Sequence, residues 1–176
     1  ELIYQKALDL KMNVSDDYVN SLIANDLSFQ TNDEFDTALF SGYMARLGLS
    51  INDYREIVKT LLRNFVIALV VAFIILIFTP LIKSGINHFF STSNDTEVLI
   101  NTYLNVRVFS VPAELVIYIL IGFYLGIQKT KISSLLIIIM SILNIVFSSL
   151  LVLSYDLNVF GVALGTLIAS YLTVTI

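Results

Sequence analysis

Four long apolar runs decide what this chain can fold into. They cover residues 64–82 ("NFVIALVVAFIILIFTPLI"), about 104–127, about 132–155 and 158–176. A helix needs about 20 residues to cross about 30 Å of hydrocarbon, and each run approaches or exceeds that length. Lipid offers backbone N–H and C=O groups no water, so each run is expected to be a helix that bonds its own backbone. Buried helices of a soluble protein are the alternative. They fit poorly with 57% hydrophobic and 14% charged residues, since a globular domain carries about 25% charge. The expected class is an all-α membrane protein with four transmembrane helices.

The charge is unevenly placed. Of the 14 acidic residues, only Asp95, Glu97, Glu114 and Asp156 lie beyond residue 60. A polar, acidic N-terminal segment of unclear role, residues 1–50, thus precedes the membrane part, residues 51–176. Within it "LIYQKALDLKM" and "DDYVNSLIANDL" suit short helices, the second capped by Ser15 or Asp16. "SFQTNDEFDT" reads as a connection. "NDYREIVKTLLR", residues 52–63, starts at a cap on Asn52 or Asp53, places its acids before Lys59 and Arg63 as the helix dipole favours, and should run straight into the first span. The chain begins at Glu1 and stops at Ile176 inside an apolar run, so a piece of a longer protein is expected.

Several chemistries find no support. There is no Cys, hence no disulfide, thiolate metal site or Cys nucleophile. No basic patch suggests nucleic acid. The single His, His88, lies in a polar connection without carboxylate ligands nearby. With no nucleophile motif, metal cluster or paired carboxylates, an enzyme is not expected and no cofactor is called for.

Orientation follows from the basic residues. Arg55, Lys59 and Arg63 precede the first span, and Lys129 and Lys131 lie in "QKTK" two crossings later; both places are expected to be cytoplasmic. The loop near 84–101, with Asp95 and Glu97, and "SYDLN" at 154–158 are expected outside.

Polar and small residues inside the spans then carry the information. Gly122 and Gly126, and Gly161 and Gly165, form two Gly-x-x-x-Gly pairs, each baring backbone on one helix face for close packing, static or moving. Pro80 is expected to end or interrupt its helix, and Pro112, well inside the second span, to bend it. Glu114 is the only carboxylate within a span, with Arg107 about two turns earlier on a similar face. An ionisable group at that depth costs several kcal/mol unless paired, hydrated or protonated. Either a structural ion pair or a role in proton or cation coupling answers that. Asn144 and Ser148 lie four apart in "SILNIVFSSLL", and Thr166 follows Gly165 in the last span. Their oxygens suit a small hard cation or a water cluster, and equally suit hydrogen bonds that hold two helices together.

The stretch "YLNVRVFSVPAELVIYILIGFYLGIQKTKISSLLIIIMSILNIVFSSLLVLSYDLNVFGVALGTLIASY" resembles the multidrug and toxic compound extrusion (MATE) family, in its DinF-like branch. The features are R-x-x-x-x-P-A, G-x-x-x-G-x-Q-x-T, the mid-helix L-N-I and G-V-A-L-G-T, in this order and spacing. "NDYREIVKTLLRNF" resembles the lead-in to that family's third helix, so the likeness covers about residues 50–176. It implies helices three to six of a six-helix N-terminal lobe, in the inner membrane of a bacterium. It implies export of drugs or other organic compounds by alternating access, coupled to H⁺ or Na⁺. It also implies that Asn144, Ser148 and Thr166 match the coupling-ion site, with Na⁺ at Asn144 and Thr166 as one occupant. Ser148 stands where the family often has Asp, and no counterpart of the first helix is present, which weakens cation binding unless Glu114 supplies the charge. The implied partners are membrane lipid, a small organic substrate and the missing helices of a complete transporter. Two rivals remain: a lipid-linked oligosaccharide flippase of the same superfamily, for which Arg107 is the only intramembrane base, and a non-transporting protein anchored by its spans.

Overall fold

The computed structural model describes residues 14–90 and 93–176. The helix expected over "LIYQKALDLKM" lies outside the described residues. The chain then forms α1 (Asp16–Asn25), a 3₁₀ turn (Leu27–Phe29), strands β1 (Gln30–Thr31) and β2 (Glu34–Phe35), and α2 (Thr37–Leu47). The long helices follow: α3 (Ile51–Phe90), α4 (Asn94–Arg107), a 3₁₀ turn (Val108–Ser110), α5 (Val111–Gly126), α6 (Thr130–Leu153) and α7 (Asn158–Val174).

Local chemistry sets the boundaries of the N-terminal elements. Ser15 caps α1, its side chain accepting from the Tyr18 amide. The stretch read as a connection holds a small antiparallel hairpin that pairs Gln30 with Phe35. Its two turn residues, Asn32 and Asp33, take φ of 54° and 64°, as a tight primed turn requires. Asp36 caps α2 by accepting from the Ala38 and Leu39 amides, and Gly48 ends it at φ 66°. The cap of α3 is Ser50 rather than Asn52 or Asp53. Its hydroxyl accepts from the Asp53 amide while the Asp53 carboxylate accepts from the Ser50 amide, a reciprocal capping box.

The first span and its lead-in are one helix of 40 residues, about 60 Å at 1.5 Å per residue. Pro80 does not end it. The helix passes through Pro80; Pro80 leaves the Leu76 carbonyl without its helical N–H partner, and beside it Thr79 Oγ1 donates to the Ile75 carbonyl at 2.7 Å. Consequently His88 sits in the last turn of α3, not in a connection. The second span is longer than expected: α4 and α5 together run from Asn94 to Gly126, broken only by the 3₁₀ turn. The break falls just before Pro112, which occupies the first turn of α5, where its missing N–H leaves no bond unmade.

Among the described residues, three segments are long and apolar enough to cross a membrane: α3, α4 with α5, and α6. The fourth, α7, is apolar but has 17 residues, about 26 Å. Helix α7 packs against α4, α5 and α6, and α3 packs along α5. The outer faces are apolar: Leu69, Phe73 and Ile145 are each more than 60% exposed. Such a continuous surface is costly in water and favourable in lipid.

The N-terminal segment has its own core. Val19, Ile23, Phe29, Phe40, Met44 and Tyr54 are buried together, and Ile127 from the α5–α6 turn joins them. Phe29 stacks edge-on against Phe40 with ring centroids 5.0 Å apart. Lys129 Nζ lies 4.7 Å above the Tyr43 ring, and Lys59 pairs with Asp16 at 2.5 Å. The two basic stretches therefore meet at one end of the bundle, with the N-terminal unit packed onto them.

Candidate functional site

The site begins with a glycine. A β-carbon on Gly165 would stand 2.5 Å from the Ser148 nitrogen, so only a bare backbone lets α7 approach α6 this closely. Gly161 is also tight, 3.2 Å from the Leu151 carbonyl carbon by the same measure. Closeness at residue 165 brings the polar groups of α6 and α7 together. Asn144 Nδ2 donates to Thr166 Oγ1 at 2.9 Å. Ser148 Oγ lies 3.4 Å from both Asn144 Oδ1 and the Val162 carbonyl, and Thr166 Oγ1 donates to that carbonyl at 3.1 Å. The cluster is a set of neutral, hard oxygens without a formal charge.

Glu114, on α5, meets α7 one helical turn further along. It is 9% exposed, and its carboxylate meets Arg107 through both oxygens, at 2.5 Å from Nη1 and 2.9 Å from Nη2. The 3₁₀ turn that separates α4 from α5 carries Ser110, which also contacts the Arg107 guanidinium, so the break in the second span is tied across by this pair. Ser170, fully buried on α7, links the two groups. Its hydroxyl lies 2.8 Å from the Thr166 carbonyl and 3.3 Å from Glu114 Oε1. A polar track thus runs Ser148–Asn144–Thr166–Ser170–Glu114–Arg107 across four helices. Glu114 does not stand among the Asn144 oxygens, and Arg107 balances its charge.

Ser170 escaped the sequence reading. A signal was present: Thr166, Ala169, Ser170 and Thr173 recur at helical spacing, and all four are buried. The other glycine pair behaves differently. Among the described residues nothing lies within 4 Å of a β-carbon on Gly122, and Gly126 would touch only Ile57 Cγ2 at 3.9 Å. Among the described residues no helix makes the close approach expected there. Both glycines instead line an apolar cleft of about 610 Å³ between α3 and α5, with Ile67, Val71 and Tyr118. Among the described residues no group of three or more His, Cys, Asp or Glu is placed to hold a metal ion.

Comparison with known proteins places this geometry. Residues 41–150 match the MatE family model, and residues 1–64 match that of a SurA-like N-terminal domain; the first turns of α3 fall in both. The chain is 33% identical over 139 residues to DNA damage-inducible protein F of Escherichia coli strain K12, covering 76% of this chain and 30% of that protein. It is 32% identical over 131 residues to multidrug export protein MepA of Staphylococcus saprophyticus, covering 73% of this chain and 28% of that protein. The chain therefore spans less than a third of the length of these curated relatives. No solved structure matches it. Bacterial relatives and a bundle with lipid-compatible faces make it a multi-pass protein of the inner membrane. The family match covers more than half the chain and both helices that carry Glu114 and Asn144, and the chain belongs to the MATE family.

Proposed function

We propose that this chain is part of a secondary active transporter, a cation-coupled antiporter that exports drugs or other organic compounds by alternating access, and not an enzyme. The observation that carries the reading is the Asn144–Thr166 bridge at 2.9 Å beside Gly165, which gathers amide, hydroxyl and carbonyl oxygens inside an apolar bundle. Oxygens of this kind suit H⁺ carried on water or Na⁺. Asn144, Ser148 and Thr166 contact the ion in this reading. Glu114, reached through Ser170, is the nearest carboxylate. The relative named a multidrug export protein supports organic compounds as the substrate class.

A second reading has its own observation. The N-terminal unit holds a separate aromatic core and matches a different family model, as a working domain anchored by the helices would. One experiment separates them. Cells expressing the protein from its full open reading frame are loaded with a cationic dye, and efflux is followed under imposed Na⁺ or pH gradients. The transporter reading expects gradient-dependent efflux that falls at least tenfold in Thr166→Val and Asn144→Leu, about the effect of losing one ion ligand or its support. Efflux absent under every gradient, with the protein present in the membrane, overturns it.

A further inference from the structure

At the end of the bundle away from the basic residues, α3 and α4 turn polar faces toward each other. Pro80, Lys83, Ser84, Asn87 and His88 recur at helical spacing on α3, and Glu97, Asn101 and Asn105 on α4. Together they line an open recess of about 730 Å³. Outside the recess, the apolar Leu81, Phe89, Val98 and Leu99 are all exposed. A hairpin in water would show the reverse pattern. This arrangement suits the headgroup region of a bilayer, since the apolar run of α3 ends at residue 82.

The recess is incompletely satisfied. Lys83 Nζ donates to Asn105 Oδ1 at 2.5 Å, the one direct link between its walls among the described residues. Asn87 Oδ1 is buried without a hydrogen-bond partner among the described residues. Lys83 and Glu97 line the same space from opposite helices, yet among the described residues neither forms an ion pair. Two opposite charges held apart, with an acceptor lacking a donor, call for a ligand that carries both charges and an N–H group. About one turn along the chain toward the bilayer middle, at Ile77 before Pro80 and Phe109 after Asn105, the two side chains are 57% and 55% exposed and offer apolar surface.

We propose that this recess binds the headgroup of a phospholipid whose phosphate is joined to a primary ammonium, as in phosphatidylethanolamine. Lys83 and the amide N–H groups of Asn101 and Asn105 face the phosphate. Glu97 and Asn87 Oδ1 accept from the ammonium. The acyl chains lie along Ile77 and Phe109. Discrimination follows from the chemistry. A quaternary choline head has no N–H for Asn87, and a glycerol head brings hydroxyl donors but no positive charge to balance Glu97. The inference stands apart from the export reading, because it concerns neither the polar track nor the coupling ion.

The test uses the purified full chain in detergent, equilibrated with equal amounts of phosphatidylethanolamine, phosphatidylcholine and phosphatidylglycerol, with retained lipid read by native mass spectrometry. The expected result is phosphatidylethanolamine retained about fivefold over each of the others, roughly the discrimination one hydrogen bond gives. Lys83→Ala and Glu97→Gln should each abolish that preference, and Lys83→Arg should keep it. Equal retention of the three lipids by the wild-type protein, a result that needs no variant to fold, overturns the proposal. So does displacement of the bound lipid by soluble glycerophosphoethanolamine at matching concentration, which would make a free metabolite head, not a lipid, the occupant.

Discussion

Gly165 meets Ser148 with no room between them: any side chain at 165 would strike the α6 backbone 2.5 Å away. Backbone cannot rotate aside as a side-chain tip can, so the two helices must part. Gly165→Ala is expected to cost about 1–3 kcal/mol, the usual range for overpacking. Gly122→Ala, which meets nothing within 4 Å, should leave stability unchanged or slightly raised through helix propensity. Thermal unfolding of the two variants in detergent checks the contrast; equal loss in both would show that α6 and α7 are not packed as described.

The Asn144–Thr166 hydrogen bond is expected to behave as others inside membranes do. Asn144→Leu and Thr166→Val should show a coupling of about 0.6 kcal/mol in a double-mutant cycle. Additive single effects would mean that the pair does not bond.

The Arg107–Glu114 pair is bidentate and mostly hidden from solvent. Glu114→Gln leaves the guanidinium facing a neutral amide and should destabilise by about 2–3 kcal/mol, less than for a fully buried pair. Combining it with Arg107→Met removes both charges and should recover most of the loss. Chemical denaturation of the single and double variants decides this, and a double variant no better than the single would place the cost elsewhere.

Much of this architecture is legible in the sequence because lipid allows so few solutions. Runs of about 20 apolar residues must be helices, and the four-residue spacing of Asn144 and Ser148 then puts them on one face by helical geometry alone. Other features are hidden for physical reasons. Gly122–Gly126 and Gly161–Gly165 have the same spacing; it says that backbone is bare, not whether a helix comes to meet it. Pro80 has the residue type of a helix end, yet neighbouring turns hold the helix through it. The β1–β2 hairpin has two residues per strand, too few for an alternating pattern to show. Ser170 reads as an ordinary small residue until α5 brings Glu114 to it.

The N-terminal unit should loosen in acid. The Leu39 amide, the Thr31 hydroxyl and the Ala38 amide all donate to Asp36 and hold its carboxyl below the usual aspartate value; Lys59 does the same to Asp16. A folded-state value below the unfolded one, about 3.9, means that the contribution is complete above that pH and is lost as pH falls through the folded value. Hydrogen exchange at Ala38 and Leu39 should therefore accelerate below about pH 4, beyond the intrinsic rate change. Asp36→Asn, which still caps but does not titrate, should flatten that dependence. An unchanged profile in Asp36→Asn would assign the acid sensitivity to another group.

Ile127 brings the α5–α6 turn into the N-terminal core: it is 2% exposed and packs with the cluster that contains Phe40 and Tyr54. Its neighbour Lys129 adds the contact over the Tyr43 ring, so the α5–α6 turn is held on one side by apolar burial and on the other by charge against an aromatic face. Ile127→Ala removes the larger of these and should cost about 2–4 kcal/mol at the junction. The bundle itself loses nothing by it, because α6 and α7 pack through Gly161, Gly165 and the polar track. Limited proteolysis is expected to cut the variant sooner within residues 26–36, the connection that carries the hairpin, while α6 and α7 stay protected to the same degree as in the wild type. Faster cleavage in α6 as well would mean that the N-terminal unit and the bundle unfold as one body, and that the α5–α6 turn is more than a docking point between them.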